Sequence, residues 1–429
     1  MKILVIHQYF LFQEGGGGSR FNELTRFWSE AGHEVTVVAG QVEHGTMKRP
    51  ERYVGHWVRS ETVGAVTVHR CYVPEVYGRG FIGRMIGFFV FMLSAVWAGA
   101  LHAGSAEVVV ATSPPLIVAV PGILLSWLKR CPLVFEVRDL WPESAIVMGV
   151  LSEGSLLARL LYLLERAVYR LAQKIVVLTP AFGTDIVSRG LAPHEKIELI
   201  PNGADLDLFE PGPRLNPVRE RYGWGDRFVV LYAGAHGLAN HLVQFLEAAE
   251  LLRQDKGILL VTVGDGPERQ PLVEEARRRG LENFQALGPV PKREMPEILQ
   301  AIDVGAAILK KADTFRTVYP NKVFDYMACQ KPTLLAIDGV ARELVVDSAR
   351  SGVFVEPENP AEMAARIREL ASRPDWCAEM AANGREFVQA NYSRASLAAK
   401  YLRLLGTLTS RPGTGPAESS GACPPFRAP

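Results

Sequence analysis

The sequence predicts an α/β protein of two successive doubly wound, Rossmann-like domains facing a cleft. Three observations carry this. Short β-branched runs alternate with helix-length amphipathic segments along nearly the whole chain. The pattern stops at a Pro-, Gly- and Arg-rich stretch over 207–226 and restarts at Phe228. In both halves, glycine- or proline-marked turns follow the predicted strands, where parallel sheets place their ligand-binding groups.

In the first half, Lys2 to His7 reads as a strand and Gln13 to Arg20 as a loop carrying Gly15, Gly16, Gly17 and Gly18. Phe21 to Ala31 is an amphipathic helix closed by Gly32, and Glu34 to Ala39 a second strand, completing a βαβ unit. Further strands are expected at Ala65 to Cys71, Glu107 to Ala111, Leu133 to Val137, Lys174 to Leu178 and Lys196 to Ile200. Helices are expected at Leu116 to Lys129, Leu156 to Ala172 and from Pro180 through Ser188. The half ends in Pro201-Asn202-Gly203-Ala204-Asp205.

In the second half, strands are expected at Phe228 to Ala233, Ile258 to Val263, Phe284 to Leu287, Val304 to Leu309, Thr333 to Ala336 and Val353 to Val355. Between and after them lie helices such as Asn240 to Gln254, Lys292 to Ala301, Pro360 to Ser372 and Trp376 to Tyr392. The expected division is an N-terminal domain over 1–206, a linker over 207–226 and a C-terminal domain over 227–385. A C-terminal helix over 386–409 then packs back on the N-terminal domain, and a disordered tail covers 410–429.

At 429 residues, with 48% hydrophobic and 22% charged residues, the chain can bury two sizeable cores. A net charge of +1 gives no argument for nucleic acid. The five cysteines (Cys71, Cys131, Cys329, Cys377 and Cys423) show neither metal-ligand spacing nor a disulfide framework, so a reduced, cytoplasmic setting is expected. The opening apolar run is too short for a signal peptide and reads as the first strand.

One segment bears on membranes. Ile82 to Ala103 is strongly apolar, broken only by Arg84, Ser94 and His102. Three readings are open. It is a buried helix of the α/β domain, a helix lying in the membrane surface, or a transmembrane span of minimal length over Met85 to Leu101. Basic and aromatic residues just before it, among them Lys48, Arg49, Trp57, Tyr72 and Arg84, suit a surface helix. A span would separate strands of one sheet into two compartments.

The densest functional signal is Tyr319 to Thr333, YPNKVFDYMACQKPT. Asn321 is a natural N-cap after Pro320, and Lys322 and Asp325 fall on one face of the helix that follows. A lysine at a helix N-terminus suits a phosphate, and a carboxylate one turn on suits the paired hydroxyls of a ribose. Taken alone, the stretch is equally a surface helix with an intrahelical Lys–Asp pair. Glycine turns at Gly234/Gly237, Gly264/Gly266 and Gly288 would surround a nucleotide together with these two residues. From the other half, Gly15 to Arg20 and the cluster from Arg138 to Glu143 face them. The glycine spacing after the first strand is not the dinucleotide fingerprint, and no acidic residue closes the second strand. The cluster at Arg138 also reads as a turn with a helix cap, and the glycine run as a mobile loop.

These motifs resemble a known family. PNGAD at 201–205, YAG at 232–234, VGDGPE at 263–268, LGPVP at 287–291 and PNKVFDYMACQKP at 320–332 are similar to the C-terminal half of family 4 glycosyltransferases of the GT-B fold. GGGGSR, GHEVTVV at 32–38 and EVRDLWPES at 136–144 resemble their N-terminal half, most of all in bacterial N-acetylfucosaminyl transferases of surface polysaccharide synthesis. The resemblance implies a UDP-sugar donor in the C-terminal lobe. Its donor-binding residues would be Gly234, His236, Gly237, Gly264, Gly266, Leu287, Val290, Arg316, Asn321, Lys322 and Asp325, with Gly17, Gly18, Ser19 and Arg20 closing from the other lobe. It places Arg138, Asp139 and Lys322 at the reacting groups and Trp141 and Glu143 on the acceptor side. It further implies retention of configuration without a metal or other cofactor, the leaving phosphate taking the acceptor's proton. The acceptor would be lipid-linked or a glycan, at the inner membrane surface.

The sequence departs from that pattern at two places. Many relatives carry two glutamates eight positions apart, where this chain has Thr317 and Asp325. A basic pair after the YAG turn is replaced by Ala235 and Asn240. More of the diphosphate's charge then falls to Lys322, Arg20 and Arg316. These losses keep open a nucleotide-sugar-binding partner without activity, and a GT-B-type epimerase.

Overall fold

The computed structural model describes residues 1–12, 20–43, 48–78, 80–147 and 149–409. The glycines of the first loop, with Gly17, Gly18 and Ser19, lie outside them, as does the 410–429 segment.

Two sheets form two domains. The first has eight strands: β1 (Lys2–Ile6), β2 (Glu34–Gly40), β3 (Val58–Val63), β4 (Val66–Cys71), β5 (Val108–Ser113), β6 (Leu133–Val137), β7 (Lys174–Val177) and β8 (Ile197–Leu199). Their order is β3-β4-β2-β1-β5-β6-β7-β8, parallel except at the β3–β4 edge. β3 is a strand the sequence reading leaves out. Its Arg59, Ser60, Glu61 and Thr62 lack an apolar alternation, because an edge strand at the rim buries little. The second sheet has β9 (Phe228–Ala233), β10 (Ile258–Val263), β11 (Phe284–Gly288), β12 (Val304–Ile308), β13 (Thr333–Ala336) and β14 (Gly352–Phe354), ordered β11-β10-β9-β12-β13-β14 and all parallel. Continuous apolar runs such as β5 and β10 are buried at every position, as strands covered on both faces must be.

Strand order reverses between β1 and β5 in the first sheet and between β9 and β12 in the second. These switch points open a crevice beyond the strand carboxyl ends. The loop ending at Arg20 follows β1. The turn at Gly234 follows β9, and the YPNKVFD stretch follows β12. The architecture expected from the sequence is therefore the one observed.

The 207–226 stretch, expected as linker, packs against the second domain. Phe209, Val218 and Trp224 enter its core, and Arg219 pairs with Asp303 at 2.8 Å. The chain crosses back near Tyr392. Helix Pro374–Asn391 lies on the second domain, whereas Arg394–Thr409 lies on the first. Leu397, Tyr401 and Leu405 pack there with Ile3, Val5 and Trp28, and the Trp28 indole donates to the Ala398 carbonyl at 3.3 Å.

The apolar segment forms one helix, Gly80–Leu101, between β4 and β5 of a single sheet. Ile82–Leu101 is long and apolar enough to cross a membrane by length and composition. One side of it is core, with Phe88, Phe91, Ala95 and Ala98 packed on the sheet, and the opposite side is exposed.

Candidate active site

In the second domain, three turns at the ends of β9, β10 and β11 are tied together. The Gly234 amide donates to Val263 at 2.9 Å, the Gly264 amide to Gly288 at 2.8 Å and the His236 amide to Asp265 at 2.9 Å. Glycine is required where the turns meet. At φ +138° a Cβ on Gly264 would stand 1.9 Å from the Gly234 carbonyl oxygen, and one on Gly266 would stand 2.4 Å from that of His236. Backbone therefore approaches backbone here, with the side chains of Lys322, His236 and Arg269 close by.

Helix Asn321–Ala328 is seated by Tyr326, which is fully buried against Gly305. The Tyr326 hydroxyl donates to the Ala306 carbonyl at 3.1 Å and accepts from the Ala233 amide at 3.1 Å. Val323, Phe324 and Met327 fill the core beside it. That seating turns Lys322 and Asp325 toward the switch point. The Lys322 ammonium lies 3.5 Å from the centroid of the Tyr232 ring and close to Gly234. The Tyr232 hydroxyl is held by the Ala235 carbonyl at 2.8 Å.

The alternative reading of this stretch, a surface helix with an intrahelical Lys–Asp pair, is not what forms. Among the described residues no ion pair joins Lys322 to Asp325, and the lysine rests on an aromatic face. Burial pushes the Lys322 ammonium well below its ordinary pKa. Burial pushes the Asp325 carboxyl up to about 7, with Lys292 drawing it down and Asp205 raising it. The N-cap expectation for Asn321 also changes. Pro320 precedes the first turn without a side-chain cap, and Asn321 Oδ1 accepts from Asn202 Nδ2 of the other domain instead.

His236 is buried beneath these groups. Its Nδ1 faces the Gly234 carbonyl at 3.2 Å, and a carbonyl only accepts, so Nδ1 carries the proton. Nε2 is then a buried acceptor without a partner. Burial lowers the imidazole's pKa and so do Arg269 and Lys322, against the raising effect of the Gly234 carbonyl and Asp265, which favours the neutral ring. Leu287 and Val290 are partly buried beside this domain's core. Gly237 opens the short turn Leu238–Asn240, its amide donating to Asn240 Oδ1 at 3.3 Å. Arg316 pairs with Asp338 at 3.1 Å.

Across the cleft, Arg20 is buried and fully engaged. Its Nε and one terminal nitrogen grip the Glu136 carboxylate at 3.0 Å each, and its remaining N–H groups reach the carbonyls of Ile200 and Pro201 and the side chain of Asn202. All five guanidinium donors are thereby used inside the first domain. In this structure Arg20 pins the Pro201–Asn202 turn and offers no donor to a phosphate.

Arg138 and Asp139 follow β6 but do not pair. The Arg138 guanidinium meets His7 Nε2 at 3.0 Å, and Asp139 Oδ2 accepts from Ser144 Oγ at 2.9 Å. Burial raises the Asp139 carboxyl's pKa, and the Ser144 hydroxyl offsets part of that. Trp141 packs with Ala145, Leu151 and Ala158, and exposed Glu143 accepts from the Tyr162 hydroxyl at 2.6 Å. Contacts between the two faces among the described residues include Asn202 with Asn321, the Thr179 hydroxyl donating to the Thr317 carbonyl at 2.7 Å, Lys292 paired with Glu23, and Val318 packed on the first domain's core. Among the described residues no group of three or more His, Cys, Asp or Glu is placed to hold a metal ion.

This geometry is matched by what the chain resembles. Residues 15–203 match the family described as Glycosyl transferase 4-like domain, and residues 217–387 match Glycosyl transferases group 1. The chain belongs to the GT-B glycosyltransferases. It is 25% identical over 293 residues to the probable glycosyltransferase WbjE of Pseudomonas aeruginosa, covering 67% of this chain and 71% of that one. It is 26% identical over 233 residues to the alpha-D-kanosaminyltransferase of Streptomyces kanamyceticus, covering 53% of this chain and 59% of that one. In fold it is similar to Anabaena HepE in complex with UDP (TM-score 0.70, 19% identity, 95% of this chain and 100% of that one). Sucrose-phosphate synthase of Thermosynechococcus elongatus is similar as well (TM-score 0.70, 18% identity, 95% and 98%).

Several residues of this GT-B glycosyltransferase's crevice escape a reading of the sequence. Tyr232 is the bed for Lys322, Arg269 acts electrostatically on His236, and Lys292 acts on Asp325 across from Glu23. Tyr232 and Arg269 adjoin glycine turns, which was their only signal. Lys292 gave none, because its role depends on a domain contact 269 residues away in sequence.

Proposed function

We propose that the protein is a retaining glycosyltransferase. It moves a sugar, of the N-acetylated hexosamine or deoxyhexosamine class, from a UDP-sugar to a lipid-linked or glycan acceptor of bacterial surface polysaccharide synthesis. One observation carries the reading: Lys322, on the first turn of a helix at the β9/β12 switch point, has an aromatic face beneath it and, among the described residues, no carboxylate paired with it. That is a preorganised cation where a leaving diphosphate would gather charge. The Gly234 and Gly264 turns bring bare backbone to the strand ends beside Lys322, and Asp325, one turn along, suits ribose hydroxyls. His236 Nε2 adds an acceptor, and Arg269 a second positive group.

In this reading the acceptor approaches from the first domain, past Arg138, Asp139 and Trp141. Lys322 stabilises the leaving phosphate, whose oxygen takes the acceptor's proton, and no metal ion takes part. Arg138 and Asp139 orient the reacting sugar. The protein works at the cytoplasmic face of the inner membrane, docked through helix Gly80–Leu101. HepE's complex with UDP supports the choice of nucleotide.

Transfer from a panel of labelled nucleotide sugars to a bacterial membrane extract tests the reading. A UDP-linked amino sugar should label a lipid-extractable product, and Lys322→Ala should abolish it. UDP binding without any transfer would instead establish a nucleotide-sugar-binding protein, and epimerised free sugar would establish the epimerase.

A further inference from the structure

The exposed apolar surface of this protein is concentrated on one side of the first domain. Nineteen large apolar side chains are exposed among the described residues, and thirteen of them belong to three helices: Gly80–Leu101, Ala119–Lys129 and Leu156–Leu171. All three cover the same face of the first sheet and contribute to one core. They lie side by side with Ala119–Lys129 in the middle. The first two approach so closely that a Cβ on Gly99 would stand 2.3 Å from Leu125.

On the first helix Ile86, Phe89, Leu93 and Trp97 recur three or four positions apart, which puts them on one outward stripe. On the middle helix Leu124, Trp127 and Leu128 are exposed, Trp127 by 61%. On the third, Leu156, Leu160 and Leu163 continue the surface, Leu156 by 74%. A contiguous apolar face of this extent marks an interaction surface.

The exposed charge on the three helices themselves is of one sign, with exposed Glu143 and Glu153 flanking the third. Helix Leu156–Leu171 exposes Arg159, Arg166 and Arg170, spaced seven and four apart and so aligned in a row beside the leucines. Its only acid, Glu165, is 1% exposed and paired inward with Arg189 at 2.8 Å. The first helix carries Arg84 alone, and the middle one ends in Lys129 followed by exposed Arg130. Arg166 and Arg170 also line, with Lys196, a depression of about 410 Å³, roomy enough for a phosphate headgroup. The whole chain has a net charge of only +1, so the positive face is local.

We propose that these three helices together form a docking platform for an anionic phospholipid bilayer. The aromatic and aliphatic stripe enters the headgroup–acyl boundary, and the arginine row of Leu156–Leu171 pairs with lipid phosphates. This rests on the membrane reading of helix Gly80–Leu101 and enlarges it in a way that bears on the acceptor. Tyr162, on the third helix, is bonded to Glu143, just beyond the end of β6 where Arg138 and Asp139 lie. The platform's edge therefore reaches the acceptor side of the cleft, and an acceptor anchored in the same bilayer would enter beside Leu156.

Flotation of the full chain with vesicles tests the platform, using three parts phosphatidylethanolamine to one part phosphatidylglycerol against pure phosphatidylcholine. The parent should float with the anionic vesicles and far less with the zwitterionic ones, and rising salt should release it. Arg159→Gln/Arg166→Gln/Arg170→Gln and Leu160→Ser/Leu163→Ser should each lower the bound fraction by at least tenfold, with unchanged melting temperature. Phe89→Ser/Trp97→Ser should do the same. If only the last variant is released, the platform is wrong while docking through the first helix stands. If the parent itself stays with neither vesicle, both ideas fall. If the parent elutes as a dimer that the leucine variant dissociates, a second copy covers this face and the lipid proposal is overturned.

Discussion

Lys322 holds its ammonium 3.5 Å from the centroid of the Tyr232 ring, and the Tyr232 hydroxyl is in turn fixed by the Ala235 carbonyl at 2.8 Å. A ring face stabilises a cation without neutralising it, so the charge remains available to an incoming anion. The arrangement also explains how a short helix of eight residues can present a lysine with a defined direction. Tyr326 anchors the helix from below, and Tyr232 supports its first turn from the adjacent strand.

The first prediction concerns this pair. Lys322→Ala should weaken UDP binding by about 10- to 100-fold, the scale of a lost charge-assisted contact to phosphate. The melting temperature should not fall, because the variant removes a cation whose burial is unfavourable. Tyr232→Leu should lower UDP affinity by a smaller factor while leaving the charge in place. Calorimetric titration with UDP measures both, and a Lys322→Ala protein that binds like the parent would remove the lysine from the donor site.

The second concerns Asp325. Its folded pKa is raised to about 7 by burial, so the folded protein holds a proton that the unfolded chain releases near the usual carboxylate value of about 4. Stability therefore falls as pH rises from about 4 to about 7, and the cost is fully present above that. Asp325→Asn should melt higher than the parent at pH 8 and at the same temperature near pH 4. An ionised carboxylate can accept from both ribose hydroxyls, whereas the protonated acid turns one of its oxygens into a donor, so the parent's UDP affinity should rise between pH 6 and 8. The Asn variant lacks that contribution, so the ratio of parent to variant affinity should itself rise between pH 6 and 8.

The sequence made the two-domain architecture readable because parallel strands buried on both faces leave continuous apolar runs, as in β5 and β10, punctuated by glycine turns. What it could not convey were relationships set by tertiary contact. A charged residue after a glycine loop looks the same whether it faces a ligand or turns inward, and Arg20 turns inward because Glu136 lies buried on β6, two strands over from β1. Asn321 has the composition of a helix cap, yet a neighbour from another domain captures its side chain. The edge strand β3 was missed because it is stabilised by pairing with β4 rather than by an apolar face.

The third prediction separates the two possible roles of Arg20. Replacing it with alanine leaves Glu136, which is fully buried, without its bidentate partner, and the Ile200 and Pro201 carbonyls without a donor. Breaking a buried pair from one side costs about 3–5 kcal/mol. Arg20→Ala should therefore lower the melting temperature by several degrees, measured by circular dichroism. UDP affinity of the fraction that stays folded should change little. A stable variant with lost UDP binding would return Arg20 to the phosphates.

The fourth concerns Glu23. Its carboxylate, 9% exposed, is shared by Lys292 of the second domain and Arg394, where the chain crosses back to the first. Two cations from different segments converge on one acid, so removing its charge weakens both the domain contact to Lys292 and the anchoring of the returning helix on the first domain. Glu23→Gln keeps the size and hydrogen-bonding capacity but not the charge. Small-angle scattering should show a larger radius of gyration for the ligand-free variant, because the cross-cleft hydrogen bonds of Asn202 with Asn321 and Thr179 with Thr317 join neutral groups and are individually weak. UDP should still bind, since its proposed ligands lie within the second domain, but transfer should slow, because the groups at Arg138 and Asp139 no longer meet the donor in a fixed geometry. Unchanged scattering together with unchanged transfer would mean that the Glu23 contact is incidental to closure.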